Sequence, residues 1–187
     1  EAARRARHDP LTGQLNRLGV SEALDREVAR AQRHGQPLSV ALVDMDGMQA
    51  LNAELGHAMG DAALVHVAQL ARQGLRPEDV VGRYEGQAFV LLLPQTPETA
   101  GAQALQRLLQ LLEQAPLPAS AQPPGQPAPR PLSFSAGVAQ LQSHENGMDV
   151  LRRADTAMLQ AKERGKRCIA TASGAQWQPV GNAGTGL

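Results

Sequence analysis

Aromatic residues are scarce: two Phe, one Tyr and one Trp among 187 residues, 2% of the chain. The core must therefore be built from Leu, Val and Ala, within a 42% hydrophobic fraction, rather than from stacked rings. Cysteine occurs once, at Cys168, which excludes an internal disulfide. That usage fits a reducing compartment, and a cytoplasmic location is expected. Excess charge is absent too: Lys plus Arg and Asp plus Glu both number 18. No global field draws such a chain to nucleic acid or to a membrane, so any phosphate recognition must be local. No apolar run reaches the roughly 18 residues of a membrane span. The chain opens on Glu1 without a signal-peptide pattern, so a piece of a longer protein is expected. Its length suits one domain with a full core and would cramp two.

Residues 1–8 carry Arg4, Arg5 and Arg7 among alanines and read as a solvated connector helix from an upstream domain rather than a nucleic-acid arm. From Leu18 to His34, apolar residues at Leu18, Leu24, Val28 and Ala31 recur at roughly helical spacing, and Gly35-Gln36-Pro37 stops the helix. Leu38–Val43 reads as a strand that ends in Asp44-Met45-Asp46. A short helix, a glycine-hinged loop and a longer helix from Asp61 to about Gly74 are predicted next. Pro97 to Glu113 predicts an amphipathic helix with Leu105, Leu108, Leu109 and Leu112 on one face. Pro116 to Pro131 holds seven prolines and reads as an extended loop. Leu132–Ala139 is a further strand, Asp149–Arg164 a helix closed by Gly165, and Cys168-Ile169-Ala170 a last short strand. The glycine-rich stretch 173–187 is expected to be a flexible tail. Strands alternating with helices predict a mixed sheet covered by helices, in the α/β (α+β) class.

Between the last two predicted helices of the first half and the amphipathic helix lies a hairpin, Val80 to Pro94, with two apolar runs about a Glu85-Gly86 turn. A carboxylate pair at a strand end beside a hairpin tip suggests metal and phosphate chemistry. At these residues the chain resembles the GGDEF, or diguanylate cyclase, family. Asp9-Pro10-Leu11-Thr12-Gly13-Gln14-Leu15-Asn16-Arg17 is similar to the Asp-x-Leu-Thr-Gly-Leu-x-Asn-Arg opening of that family. Gly56-His57-Ala58-Met59-Gly60-Asp61 is typical of it as well. The resemblance implies a domain over 9–172 with a central five-stranded mixed sheet, similar to the palm of nucleotide cyclases.

Active members join two GTP molecules held by facing domains, with divalent metal stabilising the transferred phosphate. The resemblance assigns the metal to Asp44, the Met45 carbonyl and the fourth tip residue. The tip reads Glu85-Gly86-Gln87-Ala88-Phe89 where the family has Gly-Gly-Asp/Glu-Glu-Phe. Ala88 has no ligand atom, Gln87 cannot act as a base, and Glu85 puts a negative side chain where a glycine lets backbone approach the nucleotide. The expectation is therefore no catalysis, no required cofactor, and Mg²⁺ only if GTP binds. Met48-Gln49 replaces the family's Phe-Lys pair, removing one further cation. Asn52 and Asp61 fall where the family contacts guanine, and Lys162 and Lys166 where it contacts phosphates, so residual GTP binding would use these four.

Arg76-x-x-Asp79 ends six residues before the first tip position. In the resembled family this spacing marks the inhibitory site for cyclic di-GMP, usually bound as an intercalated dimer. A guanidinium can donate twice to guanine O6 and N7, and a carboxylate can accept from the opposite edge. Arg83 stands where the family often has another arginine near that ligand. The bare pattern has little specificity, since Arg152-x-x-Asp155 repeats it; placement beside the hairpin carries the reading. The expected function is a catalytically inactive receptor of cyclic di-GMP acting through Arg76, Asp79 and Arg83 on other domains of its protein. A slow cyclase, and a GTP-binding or homodimerising regulatory module, are the alternatives. His57 and Cys168 read as structural.

Overall fold

A computed structural model describes residues 1–118, 121, 124–125 and 131–174. Most of the proline-rich loop and the tail beyond residue 174 lie outside the described residues. The chain runs α1 (Ala2–Arg5), α2 (Arg17–His34), β1 (Leu38–Met45), α3 (Met48–Leu55), α4 (His57–Gly74), β2 (Val80–Arg83), β3 (Ala88–Pro94), α5 (Glu98–Gln114), β4 (Phe134–Gln140), α6 (Gly147–Glu163) and β5 (Ile169–Thr171). The five strands form one sheet in the order β2-β3-β1-β4-β5, antiparallel except for the parallel pair β4 and β5. A mixed five-stranded sheet covered by helices is thus the observed architecture.

Alternation along the strands sends side chains into two cores. Ala41, Val43, Phe89, Leu91 and Phe134 face α4 and α5, meeting Leu64, Val67, Leu105 and Leu112. Val40, Leu42, Val90 and Leu92 face α2 and α6, meeting Val20, Leu24, Val150 and Ala154. Because both faces are covered, β1 is buried at every position and is apolar except at Ser39 and Asp44. Both phenylalanines are among the largest fully buried side chains, so the few rings present are used as core volume.

Local chemistry sets the ends. Asn16 caps α2 by accepting from the Gly19 amide at 3.0 Å, and Gly35 closes it in the left-handed conformation at φ 62°. Asn146 and Asp149 form a reciprocal capping box at the start of α6. α6 lies close on β4 because position 137 is glycine; a Cβ there would stand 2.1 Å from the Ala154 carbonyl oxygen.

Boundaries differ from the sequence expectation at several points. α4 begins at His57 rather than Asp61, since Gly56 alone, at φ 88°, makes the break between α3 and α4. β1 carries on through Asp44 to Met45 because β3 and β4 pair with it that far. The connector expected over 1–8 is helical only at Ala2–Arg5. Among the described residues, no helix is long and apolar enough to cross a membrane.

Candidate functional site

The β2–β3 hairpin projects one end of the sheet. Ala88 donates to the Glu85 carbonyl at 2.6 Å and Tyr84 to the Ala88 carbonyl at 2.9 Å, with Gly86 left-handed at φ 46°. The tip is fastened on two sides. Arg17 at the start of α2 donates to the Glu85 carboxylate at 2.8 Å and lies 4.7 Å from the Tyr84 ring centre. Arg83 donates to the Gly86 carbonyl at 3.0 Å and to Asp9 at 3.3 Å. Burial works to raise the Asp9 pKa, but hydrogen bonds from Thr12 and the charge of Arg83 outweigh it and hold the carboxyl below its ordinary value.

Asp44 on β1 lies directly across from Ala88 on β3, so the strand pairing brings the two expected metal positions side by side. The Asp44 side chain is 11% exposed, and the Lys162 ammonium from the last turn of α6 pairs with it. Asp46, two residues on, is already satisfied: it accepts from Ser135 Oγ at 2.7 Å, Ser133 Oγ at 3.0 Å and the Arg167 amide at 3.1 Å. A groove of ≈ 560 Å³ runs between the tip and α6, with Asp44, Tyr84, Glu85, Ala88, Arg152 and Asp155 on its walls.

At the far end of β2, Arg76 and Asp79 form a closed corner. Asp79 Oδ1 accepts from Arg76 Nη2 at 2.9 Å, and Oδ2 from the Arg76 amide at 2.9 Å. Nη2 also donates to the Pro94 carbonyl at 2.7 Å and to Thr96 Oγ1 at 2.8 Å. The Asp79 side chain is 3% exposed and Arg76 46%, so the carboxylate is an internal support; Nη2 faces inward, and Nη1, 3.5 Å from the Glu78 carboxylate, is the outward end of the guanidinium. Hydrogen bonding to Asp79 raises the Arg76 pKa further, which keeps it charged. A cavity of ≈ 230 Å³ opens here between Arg76, Thr96, Ala100, Ala104 and Arg107.

A family model described as the GGDEF domain of diguanylate cyclases matches residues 6–168. The chain is a GGDEF domain. It is 38% identical over 158 residues to the diguanylate cyclase DgcP of Pseudomonas aeruginosa, covering 84% of this chain and 23% of that protein. It is 34% identical over 161 residues to the diguanylate cyclase DosC of Escherichia coli K12, covering 86% of this chain and 34% of that one. The chain thus spans about a quarter to a third of the length of these curated relatives. The GGDEF domain of DgcB from Caulobacter crescentus, solved in complex with cyclic di-GMP, superposes with a TM-score of 0.84 at 26% identity, covering 89% of this chain and 93% of that one.

Within this GGDEF domain the residues of the β1 end do not fit a divalent cation. Mg²⁺ asks for oxygen ligands in near-octahedral geometry. Ala88 offers a methyl group, Asp44 is paired with Lys162, and both oxygens of Asp46 are engaged. Of the residues expected to meet GTP, Asn52 sits on α3 with its Oδ1 buried and no donor in reach among the described residues. Gly60 makes room for it, since a Cβ at 60 would lie 1.8 Å from that oxygen. Asp61 is exposed on α4, Lys162 is turned to Asp44, and Lys166 is exposed beyond α6 at φ 67°.

Of the three residues expected to hold cyclic di-GMP, the fold brings Arg76 and Asp79 together and sets Arg83 apart, at the tip with Asp9. Arg107 is not among the residues that the sequence motifs single out. Its signal was spacing: Ala100, Ala104 and Arg107 recur along one stripe of α5, and all three line the Arg76 cavity. The second Arg-x-x-Asp match, Arg152 and Asp155, lines the tip groove instead.

Proposed function

We propose that this GGDEF domain is a non-catalytic receptor of cyclic di-GMP and relays occupancy to other domains of its protein. The observation that carries the reading is the Arg76 guanidinium, held by a buried Asp79 on the wall of a cavity shared with Arg107. The Arg76 Nη1 group, which would exchange Glu78 for a ligand, and the Arg107 guanidinium about one opening suit the acceptors of guanine and a phosphate diester. Asp79 serves as the orienting group; Arg76 and Arg107 make the contacts, and Arg83 acts at the tip. Binding as an intercalated dimer would place further guanines against the exposed side of Arg76. The complex of the DgcB domain with cyclic di-GMP lends support by likeness of fold.

Inactivity follows from the tip, where Gln87 is no base and Ala88 no ligand. The competing reading, a slow diguanylate cyclase, is favoured by the named activity of DgcP and DosC. A regulatory module that binds GTP or pairs with a second copy is the other.

Isothermal titration with cyclic di-GMP tests the receptor reading. Heat of binding that Arg107→Ala and Arg76→Ala each weaken at least about tenfold, roughly 1.4 kcal/mol, is expected. No heat, or unchanged affinity in both variants, refutes it. Incubation with GTP and Mg²⁺ or Mn²⁺ is the second arm: linear formation of cyclic di-GMP that Asp44→Ala abolishes would establish the cyclase.

A further inference from the structure

We infer that Lys162 is the resident cation of the β1 end: its ammonium holds the place of a divalent ion beside Asp44, and this domain is therefore indifferent to Mg²⁺ and Mn²⁺. The inference goes beyond ligand binding at the Arg76 corner and stands whether or not that corner takes cyclic di-GMP.

Asp44 is locked in its place by pairing on both sides, to Ala88 across one ladder and Ser135 across the other. Its side chain is 11% exposed. A carboxylate so enclosed needs a counter-charge, because an unpaired buried charge is strongly destabilising. Neither neighbour supplies one: Ala88 is apolar, and the Ser135 hydroxyl is donated to Asp46. The counter-charge arrives from a residue 118 positions away in the chain. Lys162 lies in the last turn of α6, where the carbonyl end of the helix favours a cation. The close docking of α6 through Gly137 brings that last turn over the β1 end. Its flexible stem then delivers the ammonium to Asp44.

An ammonium differs from a metal ion in what it leaves open. It carries three donors and no exchangeable coordination position. The same contact makes Lys162 a structural tie between α6 and β1 and takes it away from any triphosphate. Asp46 cannot rebuild the metal site, because releasing its oxygens would strip acceptors from Ser133, Ser135 and the Arg167 amide together.

The test is thermal unfolding of the full chain in a chelator and in millimolar MgCl₂ or MnCl₂, with no nucleotide present. The wild type should melt at the same temperature in all three. Lys162→Met keeps an apolar stem and removes the ammonium, so its melting temperature should fall by about 3 °C or more. Adding Asp44→Asn to that variant removes the orphaned charge and should recover most of the loss. The double variant also serves if Lys162→Met alone fails to fold. A metal-induced rise in the wild type that Asp44→Asn abolishes would overturn the inference. So would a Lys162→Met protein as stable as the parent, or a double variant no more stable than Lys162→Met. Cyclic di-GMP is absent from the experiment, so its outcome is independent of the receptor reading.

Discussion

Asp79→Asn keeps the size of a 3% exposed side chain and removes its charge. Its amide oxygen can still accept from the Arg76 backbone amide, now held at 2.9 Å by Oδ2. The amide nitrogen then faces Arg76 Nη2 across the present 2.9 Å contact, setting a donor against a donor. A hydrogen bond to a charged group contributes about 1.5–3 kcal/mol when enclosed. Arg76 is 46% exposed, so water screens the pair and the lower part of that range applies. The guanidinium also stays tethered to the Pro94 carbonyl and Thr96 hydroxyl, which limits the collapse. A loss of about 1–2 kcal/mol results, or about 3–6 °C in melting temperature for a domain of this size. Affinity for cyclic di-GMP should fall about tenfold, because Arg76 loses the group that aims it. Urea unfolding and titration calorimetry read the two effects. A double-mutant cycle with Arg76→Met should return a coupling of about 1 kcal/mol. An unchanged unfolding midpoint together with zero coupling would refute the corner as described.

Glu85→Gly restores the first glycine of the family tip and frees Arg17, but that pair is 62% and 65% exposed. Stability should change by less than about 1 kcal/mol, and a larger loss in urea would mean that the Arg17–Glu85 pair holds the tip. Gly137→Ala should cost about 3 kcal/mol, since the new methyl group would meet the Ala154 oxygen and the Met158 nitrogen, backbone atoms that cannot turn aside. An unaltered midpoint would contradict the docking of α6. Hydrogen bonding from Arg153 lowers the Glu145 pKa, and Asp9 is likewise held low. A lowered folded pKa adds stability above the unfolded value and loses it as pH falls through the folded one. Melting temperature should therefore hold above about pH 5 and drop below about pH 4. Arg153→Met should flatten part of that acid limb.

The order of elements was legible because each is announced by near neighbours. Leucines on one stripe announce α5, and apolar runs about Glu85-Gly86 announce the hairpin. The start of α4 is not legible, because both Gly56 and Gly60 signal a hinge in the sequence, while Gly60 is helical and serves as space for Asn52. Arg76 and Asp79 were legible as a pair, being three residues apart in one turn. The burial of Asp79 was not, since it depends on Pro94, the last residue of β3, and on Thr96 just beyond it closing the corner.

By itself the chain determined its helices, strands and turns, and the chemistry missing from the tip, because side-chain identity and local spacing are one-dimensional properties. Only the tertiary structure decided which charges meet. Lys162 reached Asp44, Arg107 joined Arg76, and Arg83 turned to Asp9. Such partners are chosen by how helices seat on the two faces of the sheet. That seating is settled by packing volume across distant parts of the chain, and no local pattern records it.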